Sequence, residues 1–134
     1  MQKRASGAIL ILAVFLLAGC PDKNTRLQNS RQDLMERVNE YNELFQWRDF
    51  DKAKGYVVQE ERARFIAFTR PLEHGFSMEN FTVDSVEVAP SGERATVVVT
   101  RSFVMMPSVI LQTQDFTQEW VRIDGVWYLA GPPF

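Results

Sequence analysis

Few side chains in this sequence could do covalent chemistry, and they are scattered. Cys20 is the only cysteine and His74 the only histidine. Neither has a second ligand at metal-binding spacing, and no Ser or Cys nucleophile motif is present. His74 stands beside Gly75, shortly after Pro71, which predicts a loop. A general base would need a carboxylate or histidine desolvated in a cavity, and none of Asp84, Asp115 and Glu119 makes a convincing one. The residues therefore predict neither a metal nor a cofactor. The more coherent set is Arg101, Gln112 and Gln114, with Tyr41 and Trp120 as aromatic neighbours. Its chemistry is recognition: Arg101 would attract an anionic or carbonyl group, and the amides would add hydrogen bonds at the mouth of an apolar cavity. In the competing reading the sheet extends past its helices and the three polar residues are simply wet, since buried polar groups are uncommon.

The elements that must position these residues follow from hydrophobic period. Residues 25–48 read as one amphipathic helix, with Leu27, Leu34, Val38, Tyr41 and Phe45 on one face. Ser30-Arg31-Gln32-Asp33 loosely matches a capping box, which would allow a later start at Ser30. Asp49 can cap a short helix over Phe50 to Tyr56. A third helix begins near Gln59 and carries Phe65, Phe68 and Leu72, limited by Pro71. The charged cluster from Glu60 to Arg64 reads as a solvated face.

From Phe81 the period changes to that of strands. Phe81–Val88 is rich in β-branched residues, and Pro90-Ser91-Gly92-Glu93 is turn chemistry. Ala95 to Phe103 alternates, Val109 to Ile123 can form a long third strand, and Asp124-Gly125 is a tight hairpin signal before Val126–Ala130. With turns at Met106-Pro107 and Asp124-Gly125, Phe103 pairs with Ile110, Arg101 with Gln112, Val99 with Gln114 and Val97 with Phe116. Trp120 then faces Leu129, and Arg122 faces Trp127, a candidate cation–π pair. A one-residue slip would invert every side chain. In this register the inner face carries Val97, Val99, Phe103, Ile110, Phe116, Trp120, Trp127 and Leu129 around Arg101, Gln112 and Gln114. Asp115 and Glu119 point outward, whereas Asp84 lies where the alternation of the first strand reverses. The outer face, with Val98, Val104, Val109, Leu111, Val121 and Tyr128 among threonines, is apolar enough to suggest an interface.

Helices followed by four meandering antiparallel strands predict an α+β domain with its helices on one face of the sheet. The long first helix, Asp49-Phe50-Asp51-Lys52-Ala53, and the ending Trp120 to Leu129 resemble the NTF2-like (SnoaL-like, ketosteroid-isomerase-like) superfamily over about residues 25–131. The resemblance implies a cone-shaped domain with a curved sheet wrapped around a helix, and a dimer contact on the outer sheet face. It implies no single function, because the superfamily includes isomerases, dehydratases, ligand binders, transport factors and secretion scaffolds.

The first twenty residues carry an address. Lys3 and Arg4 precede an apolar run from Ala8 to Leu17, too short for the about 20 residues of a membrane-spanning helix but suited to an export signal. Leu17-Ala18-Gly19-Cys20 resembles the lipobox of bacterial lipoproteins. That implies residues 1–19 as signal peptide, acylation of Cys20, a short tether over 20–24 and the folded domain over 25–134. An ordinary secretory cleavage site with Cys20 as bystander is the alternative. Several acyl chains would hold the protein stably in a bilayer. Pro21 replaces the Asp that commonly retains lipoproteins in the inner membrane, so the resemblance favours the outer membrane, facing the periplasm.

The whole chain has a formal net charge of −2, and losing Lys3 and Arg4 with the signal makes it more acidic. That argues against nucleic acid, where basic surface supplies affinity. With Cys20 acylated no thiol is left for a disulfide, so ten Phe, three Trp and three Tyr must supply the core. Three functions are in play: a lipid-anchored scaffold binding an envelope partner or a second copy through the outer sheet face, a small-molecule binder, and an isomerase- or dehydratase-like enzyme.

Overall fold

The computed structural model describes residues 19–20 and 22–134. Most of the expected signal peptide, including Leu17 and Ala18 of the lipobox, therefore lies outside the described residues, as does Pro21. Cys20 is exposed.

Helix α1 spans Lys23–Gln46, and its buried face is formed by Leu34, Val38, Tyr41 and Phe45, the three-and-four spacing of an amphipathic helix. Ser30 is not a cap. It lies inside the helix, where its hydroxyl donates to the Gly92 carbonyl at 3.4 Å, and Asp22 occupies the N-cap position. The helix thus starts earlier than the capping-box reading expects, and Leu27 packs near the Gly92 turn. Arg48, with φ 58°, turns the chain out of α1. Asp49 then accepts from the Lys52 amide at 3.3 Å and starts α2, Phe50–Ala53, which tightens into a 3-10 turn over Lys54–Tyr56. A 3-10 turn at Gln59–Glu61 leads into α3, Arg62–Thr69, and the chain tightens again over Arg70–Glu73 around Pro71.

The four strands, β1 (Phe76–Val88), β2 (Arg94–Met105), β3 (Gln112–Ile123) and β4 (Val126–Leu129), form one antiparallel sheet in chain order. β1 starts five residues before the expected Phe81. It carries register shifts between Met78 and Asn80 and between Val83 and Ser85. Each inserts one residue, so the inward positions run Phe76 and Met78, then Phe81 and Val83, then Val86. This is why the alternation reverses near Asp84. Such bulges also bend a strand, which suits a sheet curved around α1.

The β2–β3 register differs from the expected one by two residues. Phe103 pairs with Gln112, Arg101 with Gln114, Val99 with Phe116 and Val97 with Gln118. The cause is the connection: residues 106–111 form an open loop instead of a tight turn, so Val109, Ile110 and Leu111 leave the strand and stand exposed. An even shift preserves facing, and the inner face keeps its aromatic set. The β3–β4 pairing has Trp120 opposite Leu129 and Arg122 opposite Trp127. No cation–π contact forms there, because the Trp127 indole is buried and donates to the Ser30 carbonyl at 3.1 Å. Arg37 takes that role instead, lying 4.0 Å from the Tyr56 ring centroid.

The core lies between α1 and the concave sheet face. Tyr41 meets Trp120 edge-on at 5.9 Å. Phe45 contacts Phe50 at 5.1 Å and Phe76 at 5.8 Å, both edge-on. After β4 the chain folds back, and Phe134 inserts edge-on against Phe65 at 5.3 Å. Much of the interior is filled by the chain's own rings.

Candidate functional site

Arg101 sits at the centre of the inner face. Strand alternation points it inward, and it is only 2% exposed. Its Nε and Nη2 both donate to Asn42 Oδ1, at 3.2 and 2.7 Å, and Nη1 donates to the main-chain oxygen of Phe134 at 2.5 Å. The guanidinium lies between two rings, 4.4 Å from the Phe45 centroid and 4.9 Å from that of Phe116. Burial pulls its pKa down, and the neighbouring Tyr41 pushes it back up. An arginine remains charged under such conditions, so the cone encloses a cation held by an amide, a main-chain oxygen and two π-faces.

Two further polar groups share this interior. Asn42 anchors its own Nδ2 on the Val38 carbonyl at 2.8 Å. Gln118 accepts from the Trp120 indole at 3.2 Å, while its Nε2 finds no partner among the described residues. The Tyr41 hydroxyl has no partner in good hydrogen-bond geometry, but Arg101 is near enough to act on it through its charge and a loose hydrogen bond. Burial dominates and pushes the Tyr41 pKa up to about 12.

Beside Arg101 lies a cavity of about 210 Å³. Arg101 and Phe45 lie deepest, Phe76, Phe103 and Phe116 wall it, and the more exposed Phe68, Met105 and Gln114 stand at its mouth. It is smaller than the roughly 300–1,000 Å³ of sites for drug-sized ligands.

The structure brings Arg101 and Gln114 together at this cavity and separates the other predicted ligand-binding residues from it. Gln112 is exposed and lies one pair farther along, opposite Phe103. Tyr41 and Trp120 are buried in the core and do not line the cavity. His74 is exposed in the segment before β1. The Thr100 hydroxyl bonds to Asp84 and, at 2.7 Å, to Asp115, while Thr96 donates to Glu119 at 3.1 Å. All three carboxylates are thus on the exposed side. Among the described residues no cluster of three potential metal ligands forms.

Sequence reasoning missed Asn42 and Gln118. Gln118 lies on the same alternation as Gln112, Gln114 and Trp120, so that pattern alone could have found it. Asn42 adjoins Tyr41 on the helix, but its partner is 59 positions away, and no local signal announces it. On the outer face Val98, Val104, Val121 and Tyr128 are half-buried, whereas Val109 and Leu111 lie on the exposed loop.

These features define a domain with the NTF2-like fold: helices packed on a curved four-stranded antiparallel sheet that closes around α1. Solved structures agree. The chain matches an NTF2-like protein of unknown function from Shewanella oneidensis MR-1 at TM-score 0.57 and 17% identity, over 75% of this chain and 93% of that one. It matches a putative polyketide cyclase from Xanthomonas campestris pv. campestris at TM-score 0.52 and 17% identity, over 75% and 90%. A SEC-C motif containing protein from Rhodopseudomonas palustris aligns at TM-score 0.61 and 18% identity, over 70% and 72%. No protein-family model and no curated protein matches the chain.

Proposed function

We infer that this chain is a lipid-anchored module of the bacterial cell envelope, facing the periplasm, whose NTF2-like domain binds a partner protein or organises an envelope complex. The observation that carries the binding role is the filling of the cone. Tyr41, Phe45, Phe65, Trp120 and Phe134 fill the interior between α1 and the concave sheet face, and the central cation is tied to Asn42 and Phe134. The anchor rests on the lipobox resemblance. Cys20 is exposed, and α1 starts at Lys23, so the domain would hang on three residues, at most about 11 Å of chain. Among the described residues no helix is long and apolar enough to cross a membrane, and attachment would come from the acylated cysteine. The half-buried outer sheet face, with Val98, Val121 and Tyr128, is the proposed contact for a second copy or an envelope partner.

Sedimentation and crosslinking of the acylated protein test this reading. It predicts a dimer or a defined hetero-complex that Val98→Arg together with Val121→Arg dissolves. A clean monomer with no stable partner contradicts it.

A second reading, favoured by the cavity beside Arg101, is the binding of a small apolar molecule in that cavity. Phe68, Met105 and Gln114 would be its gate.

A further inference from the structure

Among the described residues, the connection between β2 and β3 is where large apolar side chains stand outward in a row. Met105 and Met106 end β2, Pro107 and Ser108 turn the chain, and Val109, Ile110 and Leu111 follow at 81, 70 and 49% exposed. From Ser102 to Gln114 the sequence carries no charge. Apolar residues exposed singly are ordinary, but a contiguous group marks an interaction site.

The backbone of this tip is partly prepared to leave water. The Met106 amide donates to the Gly75 carbonyl at 2.7 Å, and the Ile110 amide donates to the Ser108 hydroxyl at 3.2 Å. Pro107 has no amide to satisfy. Fewer donors then lose a water partner when the tip enters an apolar medium. Met105 also stands at the mouth of the cavity beside Arg101, together with Phe68, so the apolar surface of the tip continues inward between aromatic rings. Fluid acyl chains conform to such an uneven surface. A protein partner needs charges and hydrogen bonds to fix its orientation, and the tip offers no charge.

The position of the tip sets how it meets a bilayer. The start of α1 lies by the β1–β2 turn, where Ser30 donates to Gly92. The end of α1 lies by the start of β1, where Gln46 donates to the Glu79 carbonyl at 2.8 Å. Phe76 of β1 pairs with Met105, so the tip is at the far end of the domain from Cys20. The 24 residues of α1 separate the two ends by about 36 Å, at ~1.5 Å per residue.

We propose that Met105, Met106, Val109, Ile110 and Leu111 form a second membrane contact, seated at the headgroup–acyl boundary of the bilayer that holds the acylated Cys20. For both ends to meet one surface, the domain lies along it with α1 nearly parallel to the membrane. This goes beyond the partner reading and rests on its lipid anchor, which keeps the tip at high local concentration beside the lipid.

The test is fluorescence of the full chain, purified from bacterial membranes, carrying Ile110→Trp and reconstituted into palmitoyl-oleoyl-phosphatidylcholine vesicles with or without bromine on the acyl chains. Emission of the parent, from Trp47, Trp120 and Trp127, is subtracted. The introduced indole is quenched at least about twofold by the brominated chains, as an apolar group seated at the acyl boundary requires. Adding Val109→Asp and Leu111→Asp abolishes the quenching while the protein still floats with the vesicles. An unquenched indole in floated protein overturns the tip contact and leaves the anchor standing, and a blue shift without quenching overturns it in favour of a protein partner. Quenching that survives both aspartates overturns the assignment to this loop. Intact mass reads the anchor separately: quenching in protein with a bare Cys20 overturns the anchor and leaves the tip. Protein that does not float overturns both.

Discussion

Asn42 Oδ1 accepts two N–H groups from Arg101, at 2.7 and 3.2 Å, and so joins the middle of α1 to the middle of β2. Asn42→Ala therefore removes two of the three hydrogen bonds made by a buried cation, and hydrogen bonds to charged groups are worth about 1.5–3 kcal/mol. Urea unfolding of this variant should show a loss of about 2–4 kcal/mol, with the desolvation cost included. Asn42→Asp keeps an acceptor oxygen facing Arg101 and should cost clearly less than the alanine. An alanine variant as stable as the parent would mean that the pair does not organise the interior.

Tyr41 gives the cone a pH signature. Burial lifts its folded pKa to about 12 from an ordinary value of 10.0, so the unfolded chain loses this proton first. The stability it contributes is fully present below pH 10 and is lost as pH rises from 10 to 12, by about 2–3 kcal/mol at 1.36 kcal/mol per unit. Tyr41→Phe should be neutral to within about 1 kcal/mol at pH 7, because the hydroxyl has no partner in good hydrogen-bond geometry. It should also flatten the alkaline fall measured as the urea midpoint between pH 9 and 12. Tyr56 is also raised by burial and by Glu40, so the difference between parent and variant, not the absolute slope, is the readout.

The loop between β2 and β3 distinguishes the observed register from the one the turn residues suggest. Ile110 is 70% exposed and Val109 81% exposed. Ile110→Ser should change unfolding stability by no more than about 0.5 kcal/mol, as surface substitutions do. Phe103→Ala, in the core, should cost about 3–5 kcal/mol. Were Ile110 paired with Phe103 on the inner face, its replacement by serine would be damaging too.

Legibility tracked locality. Period alone gave α1, the alternation of β2 and the Asp124-Gly125 hairpin, because each is decided by residues a few positions apart. The bulges of β1 hid its facing, since one inserted residue reverses the pattern and nothing local marks the insertion. The start of β3 was misplaced because Val109, Ile110 and Leu111 have strand-like side chains but stand on an open loop. At the site, alternation placed Arg101 and Gln114 on the inner face. It could not show that Asn42 and Phe134 close on the guanidinium, since both contacts depend on how α1 and the final turn pack. Nor could it separate Tyr41 and Trp120, which fill the core, from the rings that line the cavity.

The anchored role stands or falls with Cys20, and intact-mass analysis of the protein isolated from bacterial membranes tests it most directly. The account predicts a chain that begins at Cys20 and carries the added mass of a diacylglyceryl group and an amide-linked acyl chain. A bare Cys20 thiol, or residues 1–19 still attached, would contradict it.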